Sequence, residues 1–227
     1  MTFKIIAHRG ASVDAPDNSI EAFHLAIEQG AHLIETDVQI TQDGVLILEH
    51  DFDIAGHSVA NSRYAELLAL KPHLVTLAQA LVAFGDTISF CWEVKANGTE
   101  TALVRMVHDI TSPRMWEQTE YTSFYWGSAL KLRELVPVHQ VGWLTEDWSM
   151  SAIAKVQTAG LSQICPPAQA VIDKPDLVGV AHQAGLNVRV WRMTSPDLIP
   201  PLVALGVYGA TVDWTAKAYE TLNSITG

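Results

Sequence analysis

Short apolar runs rich in Val and Ile alternate along this chain with amphipathic stretches of about ten residues, and this rhythm restricts the fold more than any other property. It is the pattern of β/α units, in which parallel strands are covered by helices. Eight runs qualify as strands: Phe3 to His8, Leu33 to Val38, Ser89 to Lys95, Trp116 to Thr122, Gln140 to Leu144, Gln163 to Pro166, Val188 to Met193 and Ala210 to Trp214. Helical spacing occupies Ser19 to Gln29, Leu77 to Phe84, Thr101 to Ile110, Trp126 to Leu135, Met150 to Ala159 and Leu177 to Ala184. Asn18 or Ser19 suits the first helix cap, and Gly30, Gly160 and Gly185 follow helix ends where a left-handed residue is often required. With 227 residues, 48% of them hydrophobic, the chain can bury one sizeable core. The expected fold is α/β, a (β/α)8 TIM barrel forming a single domain over 1–227. A short insertion follows the second strand: between His50 and Leu74 only Tyr64 to Leu70 has a helical rhythm, so this segment reads as a connection or small lid.

Fourteen basic residues against 25 acidic give a net charge of -11, a field that repels nucleic acid and anionic membrane headgroups. An anionic small-molecule substrate would therefore need a local positive centre, such as a metal ion or fixed Arg and Lys side chains. No run approaches the roughly 18 uncharged apolar residues of a membrane span. Met1 to Lys4 leaves no room for a signal sequence, and Cys91 and Cys165, without metal-ligand spacing, read as buried reduced thiols. A cytoplasmic location is expected. Oligomeric state is not encoded in these features.

Charged residues interrupt the apolar runs at particular places. Ala7-His8-Arg9-Gly10 sets an imidazole and a guanidinium at the end of the first strand, the end that faces the active-site rim in parallel α/β folds. His exchanges a proton near neutral pH, and Arg holds a phosphate or carboxylate through paired hydrogen bonds. In Glu35-Thr36-Asp37, alternation puts both carboxylates on one face, where they repel unless a cation lies between them, and hard oxygen donors suit Mg2+ or Ca2+. The run Gly44 to Leu48 reads as a short hairpin strand that delivers His50 and Asp51, a second imidazole able to transfer a proton or simply to pair with its neighbour. Glu93 and Lys95 share a face of the third strand, as a third oxygen ligand beside a cation or as a buried ion pair. Of the aromatic residues at strand positions, Trp92, Trp143, Trp191 and Trp214 with Phe124 nearby, only Trp191 is taken as a substrate contact. His139 and His182 read as helix or loop histidines.

The series His8-Arg9-Gly10, Ala15-Pro16-Asp17-Asn18-Ser19, Glu21-Ala22-Phe23, Gly30-Ala31, Glu35-Thr36-Asp37-Val38, Thr41-Gln42-Asp43-Gly44 and His50-Asp51 resembles the glycerophosphodiester phosphodiesterase family. Weaker echoes continue through Glu93-Val94-Lys95, Val190-Trp191 and Gly206 to Asp213. The resemblance implies a TIM barrel and metal-dependent hydrolysis of glycerophosphodiesters to an alcohol and glycerol 3-phosphate, within lipid and glycerol metabolism. It implies His8 and His50 as the acid/base pair, Glu35, Asp37 and Glu93 as metal ligands, and Arg9 and Lys95 near the phosphate. The chain departs from the pattern after Asp51, where a larger insertion is usual, and at Arg192-Met193-Thr194 and Trp214. The insertion bears on the choice of alcohol, and the later positions bear on the far rim of the pocket and leave the metal centre untouched. The competing readings are a barrel acting on another phosphodiester, a metal-dependent aldolase or isomerase, and a non-catalytic binding module. The last predicts a replaced acid/base or metal position, and none is replaced.

Overall fold

The computed structural model describes residues 3–137 and 141–226 and closes eight parallel strands into a barrel. In chain order β1 (Lys4–His8) and β2 (Leu33–Ile40) are followed by three short pieces, β3 (Leu46–Leu48), β4 (Asp53–Ile54) and β5 (His57–Ser58). Then come β6 (Ser89–Val94), β7 (Glu120–Ser123), β8 (Val141–Leu144), β9 (Gln163–Cys165), β10 (Asn187–Val190) and β11 (Gly209–Val212). The barrel shuts because β1 pairs with β11 on one side and β2 on the other, with Ala7 opposite Val212 and His8 opposite Glu35. β3 joins the barrel sheet antiparallel to β2, and β4 and β5 form a separate antiparallel hairpin.

Around the barrel lie α1 (Ile20–Glu28), α2 (Tyr64–Leu70), α3 (Leu77–Phe84), α4 (Glu100–Ile110), α5 (Pro113–Gln118) and α6 (Trp126–Leu135). The second half adds α7 (Met150–Thr158), α8 (Ala168–Asp173), α9 (Asp176–Gln183), α10 (Ile199–Ala204) and α11 (Thr215–Thr226). Helix starts follow local chemistry: the Ser19 side chain accepts from the Ala22 N–H at 3.0 Å, and Thr76 with Gln79 forms a capping box. Gly30, Gly160 and Gly185 take φ of 85°, 70° and 78°, the left-handed values expected after helix ends. No helix among the described residues is long and apolar enough to cross a membrane.

Strand alternation sends two sets of side chains in opposite directions. The outward set, including Ile34, Val38, Phe90, Trp92, Tyr121, Val141, Ile164, Val188 and Val190, packs with the helices into the main apolar core. Trp92 stacks on Phe90 there, far from a substrate surface. The inward set is polar: buried Arg189 donates to Cys91 Sγ at 2.6 Å and lies 3.8 Å from Glu120, which also accepts from Gln163 at 3.0 Å and from Tyr208. Burial pushes the Cys91 and Cys165 thiols up to about 12 and about 11, so both stay protonated and reduced inside the barrel.

Several expected boundaries move, among them that of the last strand, which runs Gly209–Val212. Trp116 to Thr122 is not one strand, because Pro113 at the first helical turn starts α5 and the strand begins only at Glu120. The run Val188 to Met193 ends as a strand at Val190, since Arg192 turns to φ 54°. Between Gln163 and Pro166 the strand stops at Cys165, and Pro167 precedes α8. His139 and the expected strand start Gln140 lie outside the described residues. The segment after His50 is more structured than a bare connection. Its β4–β5 hairpin and α2 pack Ile54, Val59, Leu67 and Leu74 onto Ile47 as a second small apolar cluster.

Candidate active site

β2 carries Glu35 and Asp37 and β6 carries Glu93, and the pairing of these strands brings the three together, with one carboxylate oxygen from each lying within 4.8 Å of the others. All three are buried. The β2–β6 register explains this, since Asp37 stands opposite Glu93 while Glu35 stands opposite Cys91 one step deeper. Burial first, and then the neighbouring Asp37, pushes the Glu35 carboxyl up to about 8, and the same causes raise Glu93. Neither oxygen of Glu35 has a hydrogen-bond partner among the described residues. A buried carboxylate without partners is costly, and a hard divalent cation is the species that satisfies three converging carboxylates. The donor set therefore fits such an ion.

Two cations of the chain already edge this cluster. Arg9 Nε lies 3.0 Å from Asp37 and its Nη1 is 3.2 Å from Asp17, while Lys95 lies 3.2 Å from Glu93 and 3.6 Å from Asp37. Burial works to lower both pKa values, but the carboxylates outweigh it and hold both side chains charged. Arg9 takes φ 57° and Gly10 φ 86°, and a Cβ on Gly10 would come within 2.7 Å of the α1 backbone at Ala22. This tight turn aims Arg9 inward. Asn18, considered as a helix cap, has φ 52° and a different duty: it donates to Asp37 at 3.2 Å and accepts from Thr36 at 2.6 Å. Ser19 is the cap.

Both histidines face the same cavity, of about 490 Å³, whose lining includes Arg9, Glu35, Glu93, Lys95, Arg189 and Trp191. Each is held through Nδ1 by a carboxylate, His8 by Asp213 at 2.5 Å and His50 by Asp51 at 2.8 Å. For His8, burial lowers the pKa, yet the Asp213 hydrogen bond and the field of Glu35, 3.9 Å from Nε2, prevail and raise it above 6.5. His50 reaches the cavity from outside the barrel strands. The Gln39 side-chain amide donates to the carbonyls of Glu49 and Asp51 at 2.8 and 2.7 Å and so grips the chain on both sides of it. Trp191 is held equally firmly, its Nε1–H donating to the Cys165 carbonyl at 2.9 Å, and Phe124 meets it edge to face. Trp143 and Trp214 do not line the cavity, and His182 sits on α9.

The structure thus gathers every residue expected at the site and adds some that the motifs did not single out. Asp213 stood out only as part of a weaker echo. Arg189 carried a signal in the sequence, an Arg flanked by two valines at an inward position of a strand. Glu146 carried none.

Comparison with known proteins agrees with this fold. The model of the glycerophosphoryl diester phosphodiesterase family matches residues 8–217. A glycerophosphodiester phosphodiesterase of Bacillus altitudinis is 24% identical over 240 residues, covering 96% of this chain and 97% of its own. The crystal structure of a glycerophosphodiester phosphodiesterase from Parabacteroides distasonis superposes with a TM-score of 0.87 at 27% identity, over 100% of this chain and 99% of that one. An Oleispira antarctica phosphodiesterase, solved in complex with its product sn-glycerol-3-phosphate, shares the fold with a TM-score of 0.82 at 19% identity, over 97% and 96% of the two chains. The chain belongs to the glycerophosphoryl diester phosphodiesterase family, a family of phosphoric diester hydrolases.

Proposed function

We propose that this protein hydrolyses glycerophosphodiesters to an alcohol and glycerol 3-phosphate, with a divalent cation, Mg2+ or Ca2+, held by Glu35, Asp37 and Glu93 and with His8 and His50 as its acid/base pair. The observation that carries the reading is the buried Glu35 carboxyl, which has no hydrogen-bond partner among the described residues and is set among Asp37 and Glu93 in a cavity that both imidazoles line. Once bound, the cation supplies charge neutralisation for the phosphodiester. The rest of the chemistry belongs to side chains of the chain. Arg9 and Lys95 attract the anionic phosphate into an acidic protein, and Trp191 offers a rigid apolar wall to the substrate. One imidazole accepts the proton of the attacking hydroxyl as its oxygen bonds to phosphorus, the P–O bond to the leaving alcohol breaks and the other imidazole protonates that alkoxide. Water supplies the hydroxyl, either directly or by opening a cyclic phosphate formed through the glycerol 2-hydroxyl. The two reduced, buried thiols are in keeping with a cytoplasmic setting.

The reading is tested by glycerol 3-phosphate release from a panel of glycerophosphodiesters with Mg2+ or Ca2+ and again with excess EDTA. Release that EDTA abolishes supports it. A folded sample that releases nothing with either cation overturns it.

Asp213 enters this scheme as a positioning residue. Asp213→Asn keeps the shape but removes the anion that orients His8, and a hydrogen bond to a charged group contributes about 1.5–3 kcal/mol, so kcat is expected to fall about 10- to 100-fold. Because the anion raises the His8 pKa, the limb of the pH–rate profile that His8 controls is expected to move to lower pH. An unchanged profile would show that Asp213 is structural only.

A further inference from the structure

The cavity lining also includes Phe124, Glu146, Trp191 and Arg192. A fixed indole with a carboxylate beside it is the chemistry that receives a quaternary ammonium group. Here the chain supplies its own cation to that place. The Arg192 guanidinium carbon lies 4.4 Å from the Trp191 ring centroid, and its Nη2 and Nη1 reach the two oxygens of Glu146 at 2.8 and 3.4 Å. Arg192 adopts φ 54° in doing so, a left-handed conformation that an arginine rarely takes. The result is an aromatic face already covered and a carboxylate already neutralised.

What the pair still offers is hydrogen bonding. Two of the five guanidinium N–H groups are engaged by Glu146, and each carboxylate oxygen keeps an accepting lone pair. Donors and acceptors side by side next to an aromatic wall match the hydroxyls of a polyol. We propose that this rim selects a hydroxylated, uncharged head-group alcohol, such as glycerol, and excludes a trimethylammonium one. The proposal rests on the phosphodiesterase reading above and names the alcohol that reading leaves open.

The test compares kcat/KM for glycerophosphoglycerol and glycerophosphocholine in the metal-supplemented wild type, in Arg192→Ala and in Glu146→Gln, each checked for folding by circular dichroism. The wild type is expected to favour glycerophosphoglycerol by about tenfold or more, the scale of one cation–π contact or charged hydrogen bond. Arg192→Ala uncovers Trp191 and frees Glu146, so the ratio is expected to shift about tenfold toward glycerophosphocholine. Glu146→Gln should weaken glycerophosphoglycerol turnover without improving the choline ester. Equal wild-type kcat/KM for the two substrates, or a ratio that Arg192→Ala leaves unmoved, overturns the head-group proposal alone. Absence of turnover on both substrates in the wild type overturns the phosphodiesterase reading and the head-group proposal with it.

Discussion

Replacing His8 or His50 by alanine is expected to lower turnover of a glycerophosphodiester by about 10^2 to 10^4 while leaving the barrel folded, because each change removes one proton transfer. The separation of activity from stability follows from exposure. The His8 and His50 side chains are 32% and 39% exposed, facing the cavity, so truncation opens no void in the core. Their carboxylate partners Asp213 and Asp51 are themselves solvated, at 52% and 73%, and lose nothing costly when unpaired. The double variant is expected to be little worse than the poorer single one, since the two groups act in one reaction. Steady-state kinetics with thermal melts decides the matter, and wild-type turnover in either variant would remove that histidine from the mechanism.

The metal-free protein is expected to become less stable as pH rises from about 5 to about 8, by on the order of a few kcal/mol. The sign comes from the raised carboxyls. Glu35 is moved from 4.5 to about 8 and Glu93 is moved in the same direction, so the folded state keeps protons that the unfolded chain has released. Their stabilisation is complete below the unfolded value and is lost as pH rises through the folded one. His8, also raised, has the same sign. Asp51 and Asp213 are lowered, so their contribution is complete above 3.8 and leaves the slope in this window unchanged. Because a divalent cation binds the carboxylates only when they are ionised, saturating Mg2+ or Ca2+ should raise Tm most at the alkaline end and release protons on binding. Melting curves across this pH range, with EDTA and with cation, provide the measurement. A flat metal-free Tm together with no response to either cation would remove Glu35, Asp37 and Glu93 as a metal site.

The two periodicities of the chain explain which parts of it could be read in advance. Leu77–Phe84 and Trp126–Leu135 form helices with the expected bounds, and Glu35, Asp37 and Glu93 share the barrel interior because period-two alternation requires it. Where local chemistry and pattern disagreed, the pattern misled. Trp116 has an apolar neighbour in Met115, but Pro113 two residues earlier suits a helix start and turned the first half of the expected strand into α5. Contacts made by closure were not legible at all. His8 and Asp213 are 205 residues apart and meet only because β11 returns to β1, and Glu120 finds Tyr208 across a gap of 88. The catalytic candidates, by contrast, crowd into the first two strands and the hairpin, where spacing and residue type reinforce one another.

The two Gln39 hydrogen bonds have a bearing on how this barrel can diversify. They anchor His50 to β2 by its immediate flanks, and the segment that follows adds a tie of its own, from Lys71 at the end of α2 to Glu49 at 2.6 Å. That segment is an exchangeable cap. Changes of length over 52–70 are expected to leave His50 facing the cavity, provided that Lys71 still reaches Glu49 and that Leu48 and Val75 still meet through the 2.9 Å hydrogen bond between them. Selection for new alcohols and conservation of the hydrolytic step can therefore proceed on separate parts of one small chain.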